Sequence, residues 1–302
     1  FTSAFGSGPF LAVANYRSNV IIDWTSPRTA LLTAAESEGI ASVDKYSEGI
    51  GHAAVFFRNS TGAEVLGYGQ TGEDSGQGLK LLEKGLGFTA ITNIALDLLG
   101  QARNWLEYAA QIEGKNRTED DLAFLRNEWE YRNVLLVEYA NKDWAFTIVR
   151  QFLFDAFNYY VHKELTQSSD EQIAAIAAKS LKEITYHLRF SSEWIIRLGD
   201  GTEVSHEKMQ TALNELWRYK GELFEISEAE EAMISEGVGA DLNKIKPLYD
   251  QKLKEIFEEA TLKIPEISWF QSGGKNGKHS EFMGHILSEM QYMQRAYPNM
   301  EW

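Results

Sequence analysis

The 302-residue chain has no cysteine, only five prolines, and no apolar run approaching the roughly 18 residues a bilayer-spanning helix needs. Without cysteine there are no disulfides, thiolate metal ligands or cysteine nucleophiles, which fits a reducing compartment and makes the cytoplasm the expected location. Residues 1–15 lack the basic region of a signal peptide, and the start at Phe1 in place of a methionine is expected to mark either a trimmed end or a piece of an engineered sequence. Positive charge is also scarce. Lys and Arg number 29 against 44 Asp and Glu, and the net charge of −15 repels phosphate backbones and anionic membrane faces, so neither nucleic acid nor membrane is an expected partner. Gly-x-Ser-x-Gly and Gly-x4-Gly-Lys-Ser/Thr are both absent, so nothing points to an acyl-transfer serine or a P-loop.

What the chain does have is 44% hydrophobic and 12% aromatic residues, enough for a large core, with Leu, Ala, Glu, Lys and Gln dominating its second half. Residues 1–87 are richer in Gly, Ser and Thr. Residues 19–24 and 53–58 have strand character, and Asn59-Ser-Thr-Gly62 supplies a turn before 63–68, so a β-hairpin is expected there. The Gly-rich tract 67–78 is expected to be a flexible connector, with a boundary between Gly67 and Gly87.

From Phe88 the spacing turns helical. Ile91, Ile94, Ala95, Leu98, Leu99, Ala102, Leu106 and Ala109 recur at three and four and predict one buried stripe ending at Gly114. Thr118 and Asp121 resemble a capping box opening a second helix through Val134. A third helix is expected over 142–165, apolar around most of its circumference and therefore central. A fourth, capped by Ser169, should run to Gly199-Asp-Gly201. Further helices are expected over 202–224, 247–262 (Pro247 in the first turn) and 280–297. The fold class is all-α, with four long helices in succession arguing for an antiparallel bundle.

A carboxylate-bridged di-iron centre is the chemistry such a bundle invites, and it needs two Glu-x-x-His pairs plus two further Glu. One match exists, Glu203 with His206, in a first helical turn. Glu183 and His187 are spaced by four, which suits a contact between neighbouring turns. Asp97, Gln101 and Asp155 are polar positions among apolar neighbours and suggest a buried network. His162, followed by Lys163 and Glu164, reads as a solvated helix end. The loop 272–279, SGGKNGKH, offers backbone N–H groups and two lysines before a helix; Lys275 and Lys278 are candidates to touch a phosphate-bearing ligand or an acidic partner, against the blander reading of a flexible solvated loop. The aromatic run 152–160 reads as core sooner than as a cavity lining. The residues therefore assign no catalytic group and no metal ligand.

Several segments then carry a resemblance: NIALDLLGQAR at 93–103, DDLAFLRNE at 120–128, NVLLVE at 133–138, FTIVRQFLFDA at 146–156, YHLRFSSEWIIRLGDGT at 186–202 and GGKNGKHSEFMGHILSEMQYMQRAYP at 273–298. Together they resemble the C subunits of bacterial phenylacetyl-CoA epoxidase complexes, over about residues 89–302. The resemblance implies a ferritin-like helical domain over 88–302 and a non-catalytic subunit that supports the di-iron catalytic A subunit in the epoxidation of phenylacetyl-CoA. It implies no cofactor in this chain, the A subunit and the remaining subunits as partners, and a CoA thioester at their interface. Where the catalytic paralogue carries a Glu-x-x-His pair, the similar stretch here reads Leu98-Leu-Gly-Gln101, and leucine cannot bind iron. The front departs from the pattern. Family members begin with a first bundle helix shortly before the segment equivalent to Thr92, and residues 1–87 do not show its spacing. A surplus of tryptophan, at Trp105, Trp129, Trp194 and Trp217, is expected to serve a partner interface in part. The rival readings are a di-iron oxygenase using Glu183, His187, Glu203 and His206, and a module that binds a CoA thioester through the lysine-bearing loop.

Overall fold

The computed structural model describes residues 56–59, 62–65 and 75–298, with side chains from 90 onward. The chain divides into two units after Leu96. In the first, β1 (Phe56–Asn59) and β2 (Gly62–Val65) pair antiparallel, with Phe56 opposite Val65 and Asn59 opposite Gly62. This is the expected hairpin with shorter strands. The strand expected at 19–24 lies outside the described residues, as do residues 67–74 of the Gly-rich tract.

Helix α1 (Ser75–Glu113) begins well before Phe88 and takes in the last residues of that tract. Short α2 (Glu119–Phe124) does start at the Thr118–Asp121 capping box. It stops after two turns instead of continuing to Val134. The Arg126 guanidinium donates to the Leu122 carbonyl and the Tyr131 hydroxyl to that of Ala123. Side chains thus occupy the carbonyls that a longer helix would have used, and Asn127 opens a separate 3-10 turn with Glu130.

The core belongs to α3 (Trp144–Leu165), α4 (Glu171–Gly199), α5 (Glu203–Leu216) and α7 (Leu242–Glu259). Helix α3 is central as expected, because its apolar residues fall in adjacent pairs: Ala145 and Phe146, Ile148 and Val149, and Phe152 and Leu153 are all buried. Such pairs cover more than one stripe, so neighbours can pack on several sides. Asp143 caps it by accepting from the Phe146 amide. In α4 the buried positions Ile173, Ile176, Ala177, Ile184, Leu188 and Ile195 form a single stripe. Its cap is Asp170, not Ser169: the Asp170 carboxylate accepts from the amides of Gln172 and Ile173. Helix α7 likewise starts earlier than expected, at the Asp241 cap, which leaves Pro247 inside it. At the other end, Gly199 lets the chain after α7 approach closely, since a Cβ there would stand 2.5 Å from the Ala260 carbonyl oxygen.

The stretch expected as one helix over 202–224 is α5 followed by two 3-10 turns. An unforeseen helix, α6 (Glu228–Ser235), starts at a Ser227–Glu230 capping box, and α8 (Glu281–Ala296) closes the described chain. Aromatic rings knit the core, with Phe152 edge-on to Phe257 at 5.4 Å and Phe224 at 5.0 Å from Tyr249. Among the described residues, no helix is long and apolar enough to cross a membrane.

Candidate functional site: a polar seam and a pinned loop

Two clusters of buried polar side chains stand out among the described residues. The first is a seam where α1, α3 and α4 meet. Asp97 lies opposite His187, Gln101 opposite Glu183 and Tyr108 opposite Asp170; the descending series makes α1 and α4 antiparallel. His187 is fully buried and its Nε2 lies 3.0 Å from Asp97 Oδ2. A carboxylate partner fixes the tautomer with hydrogen on Nε2, which leaves Nδ1 as an acceptor with no partner. Gln101 Nε2 donates to Glu183 at 2.8 Å. The four-residue steps expected to join Glu183 to His187 within one helix instead aim each side chain across to α1.

Deeper in the seam, Asp155 is wholly buried; the Ser191 hydroxyl donates to one carboxylate oxygen at 2.8 Å and the Gln151 amide to the other at 2.7 Å. Loss of water around the carboxyl pushes its pKa up to about 7, and the two donors only partly offset that. His162, expected at a solvated helix end, is also buried. Its Nδ1–H donates to the Asn158 carbonyl at 3.0 Å, Trp105 stands edge-on to the ring, and burial pushes its pKa down.

These groups do not fit a di-iron centre. The acids of the seam are engaged by hydrogen-bond donors, and its two imidazoles are held apart, His187 by Asp97 and His162 by the Asn158 carbonyl. The four residues of the oxygenase reading are not gathered either. Glu203 is exposed, and His206 Nδ1 lies 2.7 Å from the Gly199 carbonyl oxygen at the far end of α4, roughly 18 Å along the helix from His187. Among the described residues no cluster of three or more His, Asp and Glu is disposed to hold a metal ion.

The second place is the 272–280 loop, which is tied down and not loosely solvated. Buried Glu222 accepts from the amides of Leu135, Gly273 and Lys275 at 2.6, 2.9 and 3.3 Å. The anion cradle is thus filled by the chain's own carboxylate. Lys275 turns back to the Leu223 and Glu225 carbonyls and to Glu230 at 2.8 Å, whereas Lys278 is exposed. A second buried acid, Glu138, pairs with His279 at 2.6 Å and accepts from the amide and hydroxyl of Ser280. Gly274 is pressed so close that a Cβ would meet the Asn133 carbonyl oxygen at 2.2 Å. Beside the loop, Phe154, Phe157, Val134, Val137, Arg132 and Lys275 line a cavity of about 410 Å3, while Phe152 of the same aromatic run is core. Sequence reasoning missed Glu138 and Glu222. The available signal was an acid inside an apolar stretch, Leu-Leu-Val-Glu138 and Glu222-Leu-Phe, the pattern of a buried charge with fixed donors.

The residues of the polar seam and of the pinned loop all fall within residues 88–302, which match the model of the phenylacetic acid catabolic proteins. The chain belongs to that family. One curated relative, the C subunit of 1,2-phenylacetyl-CoA epoxidase from Escherichia coli strain K12, is 46% identical over 213 residues, covering 70% of this chain and 86% of the relative. As a phenylacetic acid catabolic protein the chain has the ferritin-like helical fold expected of it. The family match starts inside α1, so the hairpin and the first part of α1 lie outside it.

Proposed function

We propose that this phenylacetic acid catabolic protein is a non-catalytic, structural subunit of a phenylacetyl-CoA mono-oxygenase, bound in the cytoplasm to a catalytic subunit that carries the di-iron centre. The observation that supports this most is the polar seam. Its acids, amide and imidazole are bonded to one another across helices, at the place in the bundle where the resemblance puts the metal ligands of the catalytic paralogue. A chain wired in this way contributes by burying surface against a partner. Trp129, 67% exposed, is the tryptophan best placed for such a surface, since Trp217 is buried and Trp194 packs edge-on to Trp144. Lys278 is the cation of the loop left to meet a CoA phosphate at the interface; Lys275 is held by Glu230.

The test is co-expression with the catalytic A subunit from the same source, followed by size-exclusion chromatography at micromolar concentration. Co-elution at a fixed ratio, with epoxidation of phenylacetyl-CoA on addition of the reductase, is the expected result. Separate elution overturns the proposal.

A further inference from the structure

The cavity of about 410 Å3 beside the pinned loop is lined by two kinds of side chain. Phe154 and Phe157, three apart and so on one face of α3, join Val134 and Val137 as its apolar lining. Lys275, Glu230 and Arg132 supply charge. The first two cancel. Lys275 Nζ spends its three hydrogens on Glu230 and on the Leu223 and Glu225 carbonyls, and Glu230 also accepts from the amide and hydroxyl of Ser227. Arg132 is the charge left over, a cation that pairs with no carboxylate among the described residues.

Although exposed, Arg132 is held in place. Its Nη1 donates to the Trp129 carbonyl at 3.0 Å and reaches that of Tyr131 at 3.5 Å. The guanidinium also occupies the space a side chain at Gly277 would fill, because a Cβ there would run into Nη1. Gly277 has a φ of +78°, in the left-handed region that favours glycine, so the turn and the arginine are fitted to one another. What remains is the other edge of the guanidinium, Nε and Nη2, which meets no acceptor among the described residues. Such an edge is a planar fork whose two N–H groups match the two oxygens of a carboxylate.

We propose that this cavity binds a small aromatic carboxylate, with its ring against Phe154 and Phe157 and its carboxylate on the Nε and Nη2 edge of Arg132. One unspent cation, in a chain of net charge −15, suits a monoanion and disfavours a phosphate dianion. The volume lies near the low end of the roughly 300–1,000 Å3 of small-molecule sites, enough for one ring with a short side chain and far less than a CoA thioester needs. Ring-to-ring contact with the two phenylalanines favours an aromatic ligand over an alkyl chain of the same size. Because the guanidinium is already fixed, binding spends little on ordering it. The inference stands apart from the subunit reading, and its test needs no partner.

The test is calorimetric titration of the full chain with benzoate, with its neutral counterpart benzamide, and with cyclohexanecarboxylate, which keeps the charge and loses the aromatic ring. The expected result is saturable binding of a single benzoate per chain, with benzamide at least tenfold weaker and cyclohexanecarboxylate also weaker. Arg132→Gln should weaken benzoate at least tenfold, and Arg132→Lys, which keeps the charge without the fork, should weaken it too. Val137→Trp, at a position 40% exposed, fills the cavity from its rim and should abolish binding. Unchanged helical circular dichroism shows that each variant is folded; Arg132 is exposed, so its variants remain informative even if Val137→Trp is not. Failure of benzoate to saturate the folded wild-type chain overturns the site, as does equal binding by Arg132→Gln or by folded Val137→Trp. Benzamide binding as tightly as benzoate overturns the carboxylate, and cyclohexanecarboxylate binding as tightly overturns the aromatic ring.

Discussion

Asp155 offers both carboxylate oxygens to hydrogen-bond donors, yet burial still holds its pKa near 7. A carboxyl whose pKa is raised on folding binds more protons folded than unfolded between about pH 4 and 7, so its contribution to stability is present at the acid end and lost as the pH rises through 7. Asp155→Asn should therefore flatten the pH dependence of unfolding over that window and gain on the order of 2–4 kcal/mol relative to wild type at pH 8, read by urea melts at pH 5 and pH 8. An unchanged difference between the two pH values contradicts the assignment. The two loop lysines are separable in the same way. Lys275→Ala strips a nearly buried cation from Glu230 and should cost about 1–3 kcal/mol, while Lys278→Ala should stay within about 0.5 kcal/mol of wild type. Thermal melts of both variants check this. The sequence pointed to both lysines and could not tell them apart, because what distinguishes them is Glu230 and the carbonyls of Leu223 and Glu225, about fifty residues earlier in the chain. Asp97, Gln101 and Asp155 were legible as a buried network, since polar residues inside an apolar helical stripe have few other uses. Their partners were not, because nothing local says that His187 meets Asp97.

At the scale of elements, the type of each long helix was readable and its ends were less so. Periodicity gave α3 and α4 and the centrality of α3. Their caps depended on which of two adjacent polar residues turned its side chain toward the first amides, and Asp170 displaced Ser169 in that competition. The second helix is shorter than its apolar pattern suggests, because such a pattern cannot register Arg126 and Tyr131 closing the carbonyl end of α2. For α1 the stripe was right in part: Ile94 is buried and Ile91, Leu98 and Leu106 are half-buried, while Ala95, Leu99, Ala102 and Ala109 are exposed. Only contacts with α4 could reveal that. Because Asp143 caps the helix on which most of the core rests, Asp143→Ala should cost about 1 kcal/mol, seen as a lower urea midpoint with an unchanged slope. A shift in slope instead would mean that the cap governs more than the first turn.

Taken whole, residues 88–302 form a ferritin-like helical body whose interior seam is crossed by hydrogen bonds and whose helix α1 buries Ile94 while leaving Leu99 and Ile112 exposed. The seam is the feature on which the proposed subunit reading rests. The most direct measurement is the iron content of the isolated chain after anaerobic incubation with excess ferrous ion and desalting. The account predicts well under one iron per chain and no epoxidation of phenylacetyl-CoA by that sample. Two irons per chain, retained through desalting and lost in Asp97→Ala or His187→Ala, would contradict it.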